Sequence, residues 1–359
     1  MIAIIADDFT GAAELAGISL RYGLRVELLL NQVIETDSDV LVVCTDSRSM
    51  KKEDALNVTA EIIKDVVKLK PAFIYKKIDS VLRGYVLDEI KVQMRLTEKN
   101  KALIFPANPS LKRTISSGEY FIDGKRITET GFVSDPEFPV NSPFVVKILK
   151  DETVSVLEYT NTLPDGGIAI AEAATVEHAA LWAARTDDSW MLAGAGDFYT
   201  ALLQRDYSLR KQQSFQLQLP HLYVCGTSFE ERKQFIKTVN CRSYLPENVN
   251  EQWLQDTCNI LRQQGKTVIA IDESEQTPMA LRAAMAKAVK QIVERENVKE
   301  LFIEGGSTAA AVLEEFGIKK LEPVNELSRG VVRMKARDFF ITVKPGSYQL
   351  PEEILKLYS

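Results

Sequence analysis

Short, continuous apolar runs alternate along this chain with longer segments whose apolar residues recur at helical spacing. Continuous runs, rather than strictly alternating ones, are typical of strands buried on both faces, as in parallel sheets. The first half contains MIAIIA, RVELLL, DVLVVCT, AFIYKKID and KALIFPAN, and the second half contains HLYVC, TVIAIDE, KELFIE and FFITV. A helical pattern follows the first run and meets a fitting stop at Gly23. We therefore predict an α/β fold with mostly parallel sheets flanked by helices.

The length of 359 residues exceeds the usual size of one domain and predicts two. The segment RDYSLRKQQSFQLQLP is polar, lacks periodicity and ends in proline, so we interpret it as the linker. The predicted domains are residues 1–212 and residues 213–359. Between about Asn108 and Asn161 the pattern loosens into Pro- and Gly-rich loops with short strands.

Composition excludes several classes of function. The net charge of −6 and the absence of a long basic run argue against a nucleic-acid partner, and no apolar run reaches membrane-spanning length. Four cysteines without CxxC spacing indicate reduced, buried thiols, and two histidines supply little for His-based metal or triad chemistry. We expect a cytoplasmic protein with neither a membrane nor a nucleic-acid partner.

Polar and ionisable residues follow four consecutive strands of the first half, where ligands bind in open parallel sheets. Each acid alone is typical of a helix cap or turn. The adjacent Asp7 and Asp8 need cations, a metal or hydrogen-bond donors nearby, because otherwise one of them would be driven towards protonation. Arg83 is suited to binding a carboxylate with its planar fork. The candidates here are Asp7, Asp8, Asp46, Arg48, Lys77, Asp79, Ser80, Arg83 and Asn108.

The strand ends of the second half carry Gly with Ser or Thr instead, in CGTSFEE, EGGSTAAAV and VKPGSY. Glycine allows close approach of the backbone to a ligand, and free N–H groups at a helix N-terminus attract phosphate. Neither a Walker loop nor a full GxGxxG fingerprint is present, so the three turns together predict a phosphate-bearing ligand such as a nucleotide. The candidates are Thr227, Ser228, Gly305, Gly306, Ser307, Thr308 and Gly346.

IADDFTGA, TDSR, YKKIDSVLRG, FPAN, GEYFIDGKRITETGFVSDPEFPV, GTS, GGSTAAAVL and VKPGSY occur in this order along nearly the whole chain. In these motifs the sequence resembles the four-carbon acid sugar kinase family. The resemblance implies a sugar-acid-binding domain followed by a nucleotide-binding domain, with the active site in the cleft between them. It implies ATP-dependent phosphorylation of the terminal hydroxyl of threonate, erythronate or an oxo derivative. The first set of candidates would bind the sugar acid and the second set the nucleotide.

For such a reaction we expect Asp8, or failing that Asp7, to accept the hydroxyl proton. Arg83 and Lys77 would hold the carboxylate or offset charge on the phosphoryl group. Mg²⁺ should arrive on the nucleotide phosphates, so no dedicated metal site is expected. The family usually has serine where this chain has Phe229, and an acid where it has Ser307.

Two alternatives stay open from the sequence. One is a non-catalytic sensor of sugar acids, and the other is a sugar-acid dehydrogenase, which would lack the glycine fingerprint. The particular acid and its stereochemistry also stay open. So does the oligomeric state, with a homodimer as one option.

Overall fold

The computed structural model describes residues 1–135, 138–211, 214–272 and 274–359. The chain divides into two compact units, of which the N-terminal unit comprises Met1–Arg25 and Leu29–Arg210. The C-terminal unit comprises Val26–Leu28 and Lys211–Ser359. The predicted boundary between residues 212 and 213 lies outside the described residues.

Up to residue 203, strands and helices alternate as the apolar pattern predicts. The strands are β1 (Ile2–Ala6), β2 (Val26–Leu30), β3 (Val40–Cys44), β4 (Phe73–Lys77), β5 (Lys101–Phe105), β6 (Arg113–Ser116), β7 (Glu119–Ile122), β8 (Lys125–Arg126), β9 (Ser155–Leu157), β10 (Gly167–Ala171) and β11 (Trp190–Gly194). The helices are α1 (Phe9–Arg21), α2 (Lys52–Lys68), α3 (Val86–Leu96), α4 (Val145–Ile148), α5 (Val176–Ala184) and α6 (Gly196–Leu203).

The main sheet of the N-terminal unit is parallel, with the strand order β3-β1-β4-β11-β5-β10-β9. Every residue of β1 and β3 is buried, which explains their continuous apolar sequences. The segment predicted to loosen contains a small antiparallel sheet in the order β6-β7-β8. Since β1 lies between β3 and β4, the loops that follow these three strands emerge side by side at one edge.

The C-terminal unit also alternates strands with helices. Its further strands are β12 (His221–Cys225), β13 (Arg242–Tyr244), β14 (Lys266–Ala270), β15 (Glu300–Glu304), β16 (Lys320–Ser328), β17 (Val331–Ala336) and β18 (Phe339–Lys344). The helices are α7 (Glu230–Thr238), α8 (Glu251–Gln264), α9 (Pro278–Glu296), α10 (Gly306–Glu315) and α11 (Glu352–Tyr358). Strands β13, β14, β12, β15 and β18 are parallel neighbours in that order, and β17 and β16 continue it as antiparallel strands.

The predicted fold class is thereby confirmed, including a mostly parallel sheet in each unit. In the described part of the chain, none of the helices has the length and apolar character needed to cross a bilayer.

Candidate functional site

Arg48 donates hydrogen bonds to both of the adjacent acids, Asp7 and Asp8. The acids follow β1 and Arg48 follows β3, its parallel neighbour. Arg48 Nε and Nη2 each lie 2.8 Å from an oxygen of Asp7, and Nη2 lies 2.9 Å from Asp8 Oδ1. One guanidinium therefore contacts both carboxylates, with its planar fork on Asp7.

Asp79 extends this network across the loop that follows β4. Arg48 Nη1 lies 3.5 Å from Asp79 Oδ1. Arg83 forks the same carboxylate, with Nε and Nη2 each 2.9 Å from an Asp79 oxygen, while its Nη1 donates to Asp135 Oδ2 at 3.0 Å. The guanidinium of Arg83, which the sequence suggested for a substrate carboxylate, thus binds Asp79 through Nε and Nη2. Its Nη1 extends away from Asp79.

The environment drives the pKa values of the paired acids in opposite directions. Burial, together with the charge of Asp8, raises the pKa of Asp7 despite Arg48. Burial also acts to raise the pKa of Asp8, but Arg48, Lys77 and the Thr10 hydroxyl outweigh it and lower that pKa. The Asp8 side chain is 20% exposed and that of Asp7 is 6% exposed. Asp8 is consequently the acid with the lower pKa and the more accessible of the two.

Asp8 also begins α1, since its Oδ1 accepts the Gly11 N–H at 3.2 Å and its Oδ2 accepts the Thr10 hydroxyl at 2.5 Å. Gly11 permits Lys77 to approach, because a Cβ at this position would lie 2.9 Å from Lys77 Nζ and 2.6 Å from Asp8 Oδ1. Lys77 Nζ donates to the Ile78 carbonyl at 2.9 Å. It also lies 3.6 Å from Glu14 Oε2. Helix capping and the acid cluster therefore use the same carboxylate.

The remaining candidates of this unit lie around the cluster. Asp46 adopts a left-handed conformation (φ 48°) immediately before the short 3-10 helix that carries Arg48. The Ser80 hydroxyl accepts a hydrogen bond from Arg113 Nη1, and the Arg113 backbone pairs with Asn108. Among the described residues, no group of three or more His, Cys, Asp or Glu side chains is arranged to hold a metal ion.

The three Gly-containing turns of the C-terminal unit follow adjacent strands, because β15 pairs with both β12 and β18. A Cβ on Gly226 would lie 1.9 Å from Thr308 Oγ1, so only glycine permits the first turn of α10 to pack there. A Cβ on Gly346 would lie 3.3 Å from Thr227 Oγ1. These packing distances join the turn after β12 to the other two.

The two helices that follow these turns differ at their N-termini. Helix α10 is preceded by Gly305 and has no acid in its first turn. Helix α7 is preceded by Phe229, which is 54% exposed, and has Glu230 and Glu231 in its first turn. Since the N-terminal end of a helix attracts anions and carboxylates there would repel them, α10 suits phosphate better than α7 does.

Sequence reasoning missed a group of charged side chains buried beneath these turns. Lys344 Nζ lies 2.9 Å from Glu304 Oε1, and Arg232 Nε lies 2.8 Å from Glu304 Oε2. The Tyr223 hydroxyl also donates to Glu304. The sequence signal for this group was a charged residue at the end of an otherwise apolar strand, in LFIEGG and ITVKPG. Glu14, Arg113 and Asp135 were missed as well, and the irregular segment around Asp135 offers no such signal.

Comparison with known proteins assigns both parts of the chain. Residues 2–202 match the family model of a sugar-binding N-terminal domain, and residues 236–348 match that of a nucleotide-binding C-terminal domain. The chain belongs to the four-carbon acid sugar kinase family. The acid cluster thus lies in the sugar-binding domain, and the three turns follow strands of the nucleotide-binding unit.

One of these relatives is similar over nearly its whole length, and two others over less than half of theirs. A D-threonate kinase of Salmonella typhimurium is 24% identical over 405 residues, covering 96% of this chain and 94% of that protein. A D-erythronate kinase of Heliobacterium modesticaldum is 28% identical over 48% of this chain and 41% of its own. A 3-oxo-tetronate kinase of Brucella melitensis is 28% identical over 42% of this chain and 36% of its own.

The solved structure of a Haemophilus influenzae protein has a TM-score of 0.79 to this one at 15% identity. The match covers 99% of this chain and 98% of that chain. At this identity the likeness establishes the fold alone.

Proposed function

We propose that this protein is an ATP-dependent kinase that phosphorylates the terminal hydroxyl of a four-carbon sugar acid, such as threonate, erythronate or an oxo derivative. Relatives named as kinases of three such acids support the substrate class. The observation that carries the proposal is an ionised, partly exposed aspartate beside Arg48 and Lys77 within a sugar-binding domain.

Asp8 acts as the base that accepts the proton of the attacking hydroxyl. Its pKa is lowered by Arg48 and Lys77, so it is ionised at neutral pH, and among the described residues its Oδ2 accepts a hydrogen bond from the Thr10 hydroxyl alone. Asp7 orients the substrate hydroxyls and does not act as the base, since both of its oxygens accept hydrogen bonds from Arg48. A positioned base lowers the barrier to phosphoryl transfer chiefly by aligning the nucleophile.

Arg83 and Lys77 serve the substrate carboxylate or offset the charge that develops on the phosphoryl oxygens. Arg83 is suited to this because Asp79 fixes its orientation while Nη1 extends away from Asp79 to Asp135. The other members of the sugar-acid site shape and brace it: Asp46, Arg48, Asp79, Ser80 and Asn108.

The nucleotide phosphates bind at the first turn of α10, through Gly305, Gly306, Ser307 and Thr308. Thr227, Ser228 and Gly346, which pack around the neighbouring turns, complete this site. Mg²⁺ is carried by the nucleotide phosphates and neutralises part of their charge when bound. The protein's share is to hold the phosphates by backbone N–H groups and to keep acids away from them.

A coupled assay of ADP release tests the proposal, over the stereoisomers of threonate, erythronate and their oxo forms. We expect turnover with one stereochemical series and its loss in Asp8→Asn. Binding of the acid without ADP release would indicate a sensor, and acid-dependent change in NAD(P)H absorbance would indicate a dehydrogenase. A cytoplasmic location and a homodimer stay predictions, the second testable by light scattering.

A further inference from the structure

Lys344 is completely buried, and its ammonium group lies inside the turn that follows β18. Its Nζ donates to the carbonyl oxygens of Pro345 at 2.7 Å and Gly346 at 3.3 Å, and also to that of Tyr348. Glu304 provides the counter-charge at 2.9 Å. A single side chain thus gathers three carbonyls of one short turn around it.

This arrangement sets the direction of the turn's N–H groups. In a trans peptide the carbonyl and the following N–H point in opposite directions. The Pro345 and Gly346 carbonyls point inward at Lys344, so the N–H groups of Gly346 and Ser347 point outward. In the described part of the chain neither N–H donates to a protein acceptor, and Ser347 is exposed. Two adjacent outward N–H groups are suited to an oxyanion.

The charges beneath the turn favour an anion as well. Lys344 and Arg232 are both buried and share the single carboxylate of Glu304. The excess positive charge lies in an interior of low dielectric, where its field is weakly screened. The Lys344 and Glu304 carbonyls also accept the N–H groups of Gly305 and Gly226, which links all three turns.

We propose that Lys344 is a positioning residue that shapes residues 345–348 into a binding site for phosphate oxygens, with the N–H groups of Gly346 and Ser347 as donors. The identity of that phosphate as part of ATP rests on the proposed function. Lys344 does not touch the ligand; it acts by holding the carbonyls inward and by its charge.

The test is calorimetric titration of the full chain with Mg·ADP, adenosine and inorganic pyrophosphate. Lys344→Met keeps the buried stem and removes the ammonium, while Glu304 retains Arg232 as its partner. We expect ADP and pyrophosphate to bind roughly 10- to 100-fold more weakly, as for loss of charge-assisted hydrogen bonds. Adenosine, which has no phosphate, should bind as to the wild type.

A matched control removes Arg333, a buried cation of β17 whose acidic partner lies at the opposite end of β15 from Glu304. Arg333 pairs with Glu300, the first residue of β15, with Nε 3.0 Å from Oε1. The double variant Arg333→Met/Glu300→Gln leaves no charge of this pair unpaired and should bind all three ligands normally. Lys344→Gln, which retains N–H donors without charge, should show an intermediate loss and replaces Lys344→Met if that variant does not fold.

Normal ADP binding by the Lys344 variants, or equal losses for ADP and adenosine, would overturn the inference. If the wild type binds pyrophosphate more tightly than the Lys344 variants do, but binds no adenine nucleotide, the result would support the oxyanion site and refute ATP as the donor. Wild-type protein that binds neither would refute both.

Discussion

Replacing Asp8 by asparagine separates a catalytic role from a structural one. The asparagine oxygen can accept from Gly11 N and Arg48 Nη2, which lie 3.2 Å and 2.9 Å from Asp8 Oδ1. Its NH₂ group can donate to the Thr10 hydroxyl, which accepts as readily as it donates. Asparagine caps helices about as well as aspartate, and the change removes repulsion with Asp7. It also removes the attraction to Arg48 and Lys77 that lowers the pKa of Asp8, so we expect the free energy of unfolding to fall modestly, by about 1 kcal/mol.

The same variant cannot accept a proton from the substrate hydroxyl. Loss of a general base lowers kcat by about 10²- to 10⁴-fold, or about 3–5 kcal/mol in the activation barrier. The assay is the initial rate of ADP release at saturating sugar acid, accompanied by urea unfolding of the same preparation. The expected signature of Asp8→Asn is a folded enzyme with a greatly reduced kcat.

Asp7→Asn is the control, and its geometry predicts the reverse pattern. Both Asp7 oxygens accept hydrogen bonds from Arg48, at 2.8 Å each, and arginine has no acceptor to offer an amide NH₂. One N–H group of Arg48 then faces the amide NH₂ without an acceptor, so we expect a loss of about 1–3 kcal/mol in stability. The loss of kcat should be smaller than in Asp8→Asn. A near-normal kcat in Asp8→Asn with an inactive, folded Asp7→Asn would exchange the two roles. Normal turnover in both would remove these acids from the mechanism.

Arg83→Lys keeps the charge but loses the fork, so the KM for the sugar acid should rise greatly in steady-state assays; an unchanged KM would exclude carboxylate binding by Arg83. A nucleotide analogue should slow hydrogen exchange at the turns after β12, β15 and β18, and protection centred on residues 1–110 instead would refute the assignment. Burial, with Lys266, lowers the pKa of His221 to about 3, whereas the unfolded chain binds this proton below about pH 6.5. The free energy of unfolding should therefore fall by up to about 1.4 kcal/mol per pH unit as the pH is lowered from about 6.5 to about 3. Urea titrations of His221→Gln over this range should show a weaker dependence of stability on pH.

The strands could be predicted because burial on both faces leaves continuous apolar sequences, as in β1 and β3. Candidate residues could be grouped for a related reason. Strands of a parallel sheet end at the same edge, so the residues after β1, β3 and β4 had to lie near one another. Neither inference needs knowledge of which side chains pair.

The individual pairings could not be predicted, because they depend on distant segments. Arg48 is 41 residues from Asp7, and Asp135 is 52 residues from Arg83 in a segment without regular periodicity. Lys76 and Lys77 are neighbours in β4, yet Lys76 pairs with Glu89 of α3 and Lys77 lies near Glu14 of α1. Adjacent strand residues face opposite sides, and the sequence alone does not specify which side each one takes.

The two candidate sites have opposite charge balances, and this follows from the chemistry proposed for each. In the N-terminal cluster the carboxylates outnumber Arg48, Arg83 and Lys77, so one acid can remain ionised and incompletely engaged, as a base requires. In the C-terminal cluster two buried cations share Glu304, which leaves positive charge near the first turn of α10, where no acid is present. A triphosphate placed among the carboxylates of the N-terminal cluster would be repelled, whereas the positive charge beneath the C-terminal turns attracts it. An excess of carboxylates in one domain and an excess of buried cations in the other therefore allow one acidic chain, of net charge −6, to provide both a base and an anion site.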